Sequence, residues 1–229
     1  MNNTALLLID LQNDFCNGGA LEVLDSKSII NTANIIISYC QQQNIVIIAS
    51  QDWHPANHLS FAINSGTKVG SEGNLNGLRQ IWWPVHCVQH QKGAQFHPDL
   101  NQSAIKKIFQ KGINPTIDSY SAFFDNDYQH STQLDHWLTE NQIKYLYIMG
   151  LATDYCVKFT VFDAVQLGYQ VTVIQDGCRG VNLYPEASSN ALQEMVLFGA
   201  KLITSSDLLT QSIDYTYVPS IIKTNQLLS

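Results

Sequence analysis

Along this chain, short unbroken apolar runs alternate with stretches whose apolar positions recur at helical spacing. The segments ALLLID at 5–10 and IVIIAS at 45–50 are apolar on both faces and end in polar residues, Asp10 in the first case and Gln51, Asp52, Trp53 and His54 after the second. Runs of this kind fit central strands of a parallel sheet, whose two faces are both covered. A weaker run, IKKIFQKG, predicts a third strand with Lys111 just beyond it; YLYIM, YQVTVI and AKLIT predict three more. Between them, apolar residues at 29, 30, 33, 36, 37 and 40 predict a helix from Ser28 to Cys40. Further helices are predicted over 131–141, with Leu134, Trp137 and Leu138 on one side, over Val157 to Leu167, closed by Gly168, and over 186–197. DGCRG at 176–180 is expected to be a turn. The alternation calls for a parallel α/β sheet with right-handed crossovers and helices on both faces.

Two stretches resist the pattern. Residues His54 to about Asp99 are rich in Gly, Asn and His without a clear period, and a connection that long in a compact domain is usually functional. The last 20 or so residues, with Tyr215, Tyr217 and Pro219, are expected to be an extended tail. No composition shift marks a boundary, so 1–229 is expected to be a single domain, its core about 5–205 and its tail about 210–229.

Charge narrows the partners. A formal net charge of −7 with scattered Lys and Arg argues against nucleic acid and against a membrane surface. No run approaches the ~18 apolar residues of a membrane span. The five cysteines (16, 40, 87, 156 and 178) are odd in number and irregularly spaced, which suggests free thiols in a reducing cytoplasm. A small-molecule ligand is the expected partner; the residues leave the oligomeric state open, a homo-oligomer included.

Candidate chemistry gathers at one end of the predicted sheet. Ligands of open parallel sheets bind beyond the carboxyl ends of the strands, where Asp10, Asp52, His54, Lys111 and Cys156 all fall. Singly, a strand-end Asp is more often a cap, a lone Lys a solvated charge, and a Cys a small apolar residue; the joint placement decides. Cys156 lies where a tight turn meets a helix start, and the helix dipole there is expected to favour its thiolate. A carboxylate such as Asp10 can take the thiol proton and later return it, and Lys111 can hold that carboxylate ionised. The backbone N–H groups of Ala152 and Cys156 are candidates for an oxyanion hole. Asp52, His54 and His86 make a donor set suited to Zn, Fe(II) or Mn, with His58, His90 and His97 as alternatives in the same loop.

These motifs also carry a family resemblance. IDLQNDF at 9–15, DWHPANHLSF at 52–61, WPVHCVQ at 83–89, Lys111-Gly112, YSAF at 120–123 and GLATDYCV at 150–157 occur in the order found in the nicotinamidases of the isochorismatase-like cysteine hydrolases. The likeness spans about residues 5 to 205. It implies a three-layer α/β/α fold with a six-stranded parallel sheet and hydrolysis of nicotinamide to nicotinate and ammonia in NAD salvage, with pyrazinamide also accepted. It further implies Cys156 as nucleophile, Asp10 as proton shuttle and Lys111 as electrostatic partner. A cis Leu151–Ala152 bond, turning the Ala152 N–H toward the oxyanion, is implied as well. So is one divalent metal, zinc foremost, on Asp52, His54 and His86, with His58 a further ligand only in some members. Phe15, Trp83 and Tyr120 map onto aromatics that sandwich the pyridine ring. DGCRG resembles a structural turn. The rival readings are a sibling hydrolase acting on another small amide or on an isochorismate-like substrate, and a non-catalytic binding member.

Overall fold

The computed structural model describes residues 3–210. Six parallel strands form one sheet: β1 Thr4–Ile9, β2 Val46–Asp52, β5 Lys107–Lys111, β6 Tyr145–Leu151, β7 Gln170–Arg179 and β8 Lys201–Ile203. Their spatial order is β5-β2-β1-β6-β7-β8. Helices cover the sheet: α1 Ser26–Gln42, α3 Leu134–Glu140, α4 Lys158–Gln166, α5 Ala187–Phe198 and α6 Ser205–Thr210. The expected six-stranded, helix-covered sheet is the one found. β1 is buried along its whole length, as its unbroken apolar sequence requires. From β1 the chain works outward through β2 to β5, then returns to β6 on the opposite side, so the direction of winding reverses between β1 and β6. A crevice opens at such a switch point, and Asp10 and Cys156 follow the two strands that border it. Gly150 permits the close approach there: a Cβ at this position would lie 2.2 Å from the Ile9 carbonyl oxygen.

Three expectations are corrected. DGCR is not a turn: β7 runs through it, with Cys178 opposite Gly150 and Arg179 opposite Leu151 after a register shift in the pairing. Its polar residues are compensated by side chains, Ser205 donating to Asp176 and Arg179 pairing with Asp25, and so they hid a strand. The helix predicted from 131 starts at Leu134, because Gln133 has φ of 71° and the Thr132 hydroxyl accepts the Leu134 N–H. The long 54–99 segment contains a short helix, α2 Ala62–Ser65, and an antiparallel hairpin, β3 Glu72–Leu75 with β4 Leu78–Ile81, elements too short to carry a period. Isolated bridges, His54 to Val88 and Phe61 to Trp83, tie the segment's ends back together. The expected tail lies outside the described residues. No helix among those described is long and apolar enough to cross a membrane.

Candidate active site

Strand register assembles the site. Asp52 and Lys111, the last residues of β2 and β5, are directly paired, so their side chains leave the sheet on the same face. The Lys111 ammonium is 2.8 Å from Asp52 Oδ1, 3.0 Å from Asp10 Oδ2, 2.9 Å from the Ser119 carbonyl and 3.4 Å from Cys156 Sγ. The side chain is 1% exposed. Burial alone would discharge it; the carboxylates of Asp10 and Asp52 outweigh that and hold its pKa well above the usual lysine range. Lys111 is therefore a buried cation joining the two carboxylates to the thiol.

Asp10 is fully buried, with φ of 47°. Ser50 donates to its Oδ1 at 2.6 Å. Its Oδ2, apart from the ion pair, is the one buried side-chain oxygen or nitrogen among the described residues without a hydrogen bond. Burial raises the Asp10 pKa, Asp52 adds to the rise, and Lys111 opposes it. Cys156 lies within a wide, π-type helical turn, Thr153–Val157, that leads into α4. Asp154 anchors this turn by accepting the Val181 and Asn182 N–H groups at 2.9 and 2.8 Å. The lowered thiol pKa expected from the helix start is not what the site gives: burial pushes the Cys156 pKa well up, Lys111 pulls it down, and Asp10 and Asp52 push it up again. Asp10 stands beside it as the carboxylate that can take its proton. The Leu151–Ala152 bond is cis.

Next to this group, Asp52, His54 and His86 bring one ligand atom each within 4.8 Å of one another. Asp52 Oδ2 lies 3.1 Å from His54 Nε2 and 3.4 Å from His86 Nε2. The opposite ring nitrogens face backbone carbonyls, His54 Nδ1 that of Gly112 at 2.9 Å and His86 Nδ1 that of Pro84 at 2.8 Å. Those carbonyls can only accept, so each Nδ1 donates there and each Nε2 is turned toward the Asp52 carboxylate, where a cation would be held. Metal-binding imidazoles are oriented in this way, by a hydrogen bond from the ring nitrogen turned away from the ion, and the set fits a divalent cation. Burial depresses the basicity of His54, and the Asp52 charge more than restores it. Burial raises and His54 and Lys111 lower the Asp52 carboxyl, which ends well below its ordinary range. His58 is differently engaged: its Nδ1 accepts from the Ser60 N–H and hydroxyl, and its Nε2 faces the Ile117 carbonyl at 3.2 Å. His54, His58 and Asp118 form a second close group, but with both His58 nitrogens occupied it lacks a free imidazole from that residue. His90 and His97 belong to neither group.

Phe15, Trp83 and Tyr120 line one cavity of about 30 Å³ together with Asp52, His86, Ala152 and Cys156. The Trp83 indole donates to the Tyr120 hydroxyl at 3.3 Å, and the two rings meet at 87°, edge to face and not as parallel plates. Sequence reasoning missed Gln12, Asp118 and Tyr155. Gln12 clamps Asp52 through both backbone groups, accepting its N–H at 2.8 Å and donating to its carbonyl at 2.7 Å. Its signal was present within IDLQNDF; Asp118 sits in a segment without periodicity, and Tyr155 was overlooked beside Cys156.

Residues 4–207 match the family model described as the isochorismatase domain. The chain belongs to the isochorismatase-domain family. Within that family it is 58% identical to the nicotinamidase of Escherichia coli strain K12 over 203 residues, 89% of this chain and 95% of that one. A solved Acinetobacter baumanii nicotinamidase/pyrazinamidase superposes with a TM-score of 0.85 at 40% identity, covering 91% of this chain and 99% of that chain. The pyrazinamidase of Pyrococcus horikoshii, solved in complex with zinc, superposes with a TM-score of 0.74 at 35% identity, covering 89% and 99%. In this isochorismatase-family chain the sequence-predicted residues Asp10, Lys111, Cys156, Asp52, His54, His86, Phe15, Trp83, Tyr120 and Ala152 all converge on one crevice at the switch point.

Proposed function

We propose that this chain hydrolyses nicotinamide to nicotinate and ammonia through a thioester on Cys156, and that it deamidates pyrazinamide as well. The observation that carries the reading is the contact of one buried ammonium, Lys111, with Asp10, Asp52 and Cys156 at once. Such a cluster is costly to bury and has no packing purpose that apolar residues would not serve better. The 58% identity to a nicotinamidase over nearly the whole chain supports the substrate.

Asp10 removes the thiol proton with its free Oδ2 lone pair as the sulfur attacks the amide carbon. Lys111 stays charged throughout and balances the negative charge as it moves between carboxylate and sulfur. The backbone N–H groups of Ala152 and Cys156 stabilise the tetrahedral oxyanion. Asp10 then passes its proton to the amide nitrogen; the C–N bond breaks, ammonia departs and the thioester remains. Asp10 next deprotonates a water that adds to the thioester carbonyl, nicotinate leaves, and the thiol is restored with the returned proton. Phe15, Trp83 and Tyr120 enclose the pyridine ring.

Asp52, His54 and His86 would hold one divalent cation, with zinc foremost and Fe(II) and Mn compatible with the same donors. When bound, it supplies a Lewis-acid anchor for the pyridine nitrogen, directly or through water. Cys156→Ala should abolish ammonia release while nicotinamide still binds by calorimetry; appreciable turnover in this variant rules the thioester out.

A further inference from the structure

A second cavity, of about 550 Å³, lies across Tyr120 and Tyr155 from the catalytic one, the two tyrosines belonging to both walls. That volume is in the range of small-molecule sites. It is bounded by the β3–β4 hairpin, the loop after Tyr120, the start of α4 and residues 183–187. Six rings line it: Tyr120, Phe124, Tyr128, Tyr155, Phe159 and Tyr184. Tyr128 and Tyr184 are 60% and 55% exposed, an uncommon display of large rings on one groove.

Its charges are unevenly matched. The cations are already tied, Arg79 to Glu72 at 2.7 Å and Lys158 to Glu194 at 3.1 Å. Both oxygens of Asp154 are taken by backbone N–H groups. Asp125 and Asp163 are different: 7% and 4% exposed, they line the cavity with no lysine or arginine ion-paired to either among the described residues. Asp163 is held by the Tyr128 hydroxyl at 3.0 Å and by Ser121, and Asp125 by Ser119, all neutral partners. Around Asp125 the ionisable neighbours are His130, 3.8 Å away and largely in solvent, with Asp127 and Lys111. Burial raises both carboxyl pKa values, and at Asp125 the charges of His130 and Lys111 oppose that rise without cancelling it. Buried carboxylates ordinarily have a cation as partner.

We propose that this groove binds an organic cation with an aromatic or alkyl body, of the quaternary ammonium or N-alkylpyridinium class, at a site separate from the catalytic cavity. The rings offer faces to the cation and its apolar body, Asp125 and Asp163 supply the missing charge, and an anion of the same size is excluded. The shared tyrosines make the two sites neighbours without making them one.

The test is calorimetric titration of the intact protein with benzyltrimethylammonium, alongside phenylacetate as an anion of similar size. One saturable cation site per chain is expected, persisting at saturating nicotinate and weakened about tenfold by Asp163→Asn and by Asp125→Asn, with no binding of phenylacetate. Neither variant replaces a catalytic residue; the thermal denaturation midpoint reports that each is folded, and Asp163→Asn, the one not bonded to Ser119, should keep ammonia release from nicotinamide as well. If Asp163→Asn does not fold, Asp125→Asn and the nicotinate competition decide. Absence of saturable binding, displacement by nicotinate, or affinity indifferent to the carboxylates overturns the proposal.

Discussion

Replacing Lys111 with Met keeps most of the apolar stem and removes the ammonium, with its charge and its hydrogen bonds to Asp52, Ser119 and Cys156. The Lys111 side chain is fully buried and is the common partner of two further buried side chains, Asp10 and Asp52. Without it, two buried carboxylates face one another with no cation between them. Removing one partner of a buried ion pair costs about 3–5 kcal/mol, and the methionine packs too similarly to the lysine stem to change that sum by more than about 1 kcal/mol. One way out is for Asp10, whose pKa burial already raises, to keep a proton. A carboxyl whose folded pKa lies above its unfolded value binds more protons folded than unfolded, so its contribution to stability falls as pH rises through that interval. The destabilisation of Lys111→Met should therefore be larger at about pH 8 than at about pH 5. Urea denaturation at the two pH values measures both quantities, and ammonia release should be lost at each. A variant within about 1 kcal/mol of the parent at both pH values would show that Lys111 is not the electrostatic hub of the site.

Gly112→Ala should lower both stability and metal affinity. Its φ of 66° disfavours a side chain, and an added Cβ would lie 2.4 Å from the His54 ring, so about 2–4 kcal/mol is expected by thermal denaturation. Unchanged chelator resistance in that variant would count against His54 as a ligand. Gln12→Leu removes the clamp on the Asp52 N–H and carbonyl, leaving two buried backbone groups unpaired at about 1–3 kcal/mol. Metal titration should weaken with it while Cys156 alkylation stays near the parent rate; equal loss of both would mark Gln12 as a general packing residue.

Much of the fold was legible because the central strands, β1 above all, are buried on both faces and so read as continuous apolar runs. The chemistry was legible for a related reason: Asp10 and Asp52 stand where the apolar runs of β1 and β2 give way to polar residues, and Lys111 closes the weaker strand beside them. What stayed hidden depends on contacts distant in sequence. β7 continues through Asp176 and Arg179 only because Ser205 and Asp25 satisfy them. The Cys156 thiol was expected to ionise from its position near a helix start, but burial outweighs that local field. Gln12 shows the same limit, since its role needs Asp52, forty residues away, to be at hand.

Ammonia release from nicotinamide by the purified protein should be measured as isolated, after chelation, and after restoring zinc, Fe(II) or Mn in turn. Turnover should fall with the chelator and return with at least one metal, as a Cys156 hydrolase with a cation on Asp52, His54 and His86 requires. Turnover indifferent to chelation would remove the metal from the account. No ammonia from any metal form would contradict the assignment of nicotinamide as substrate.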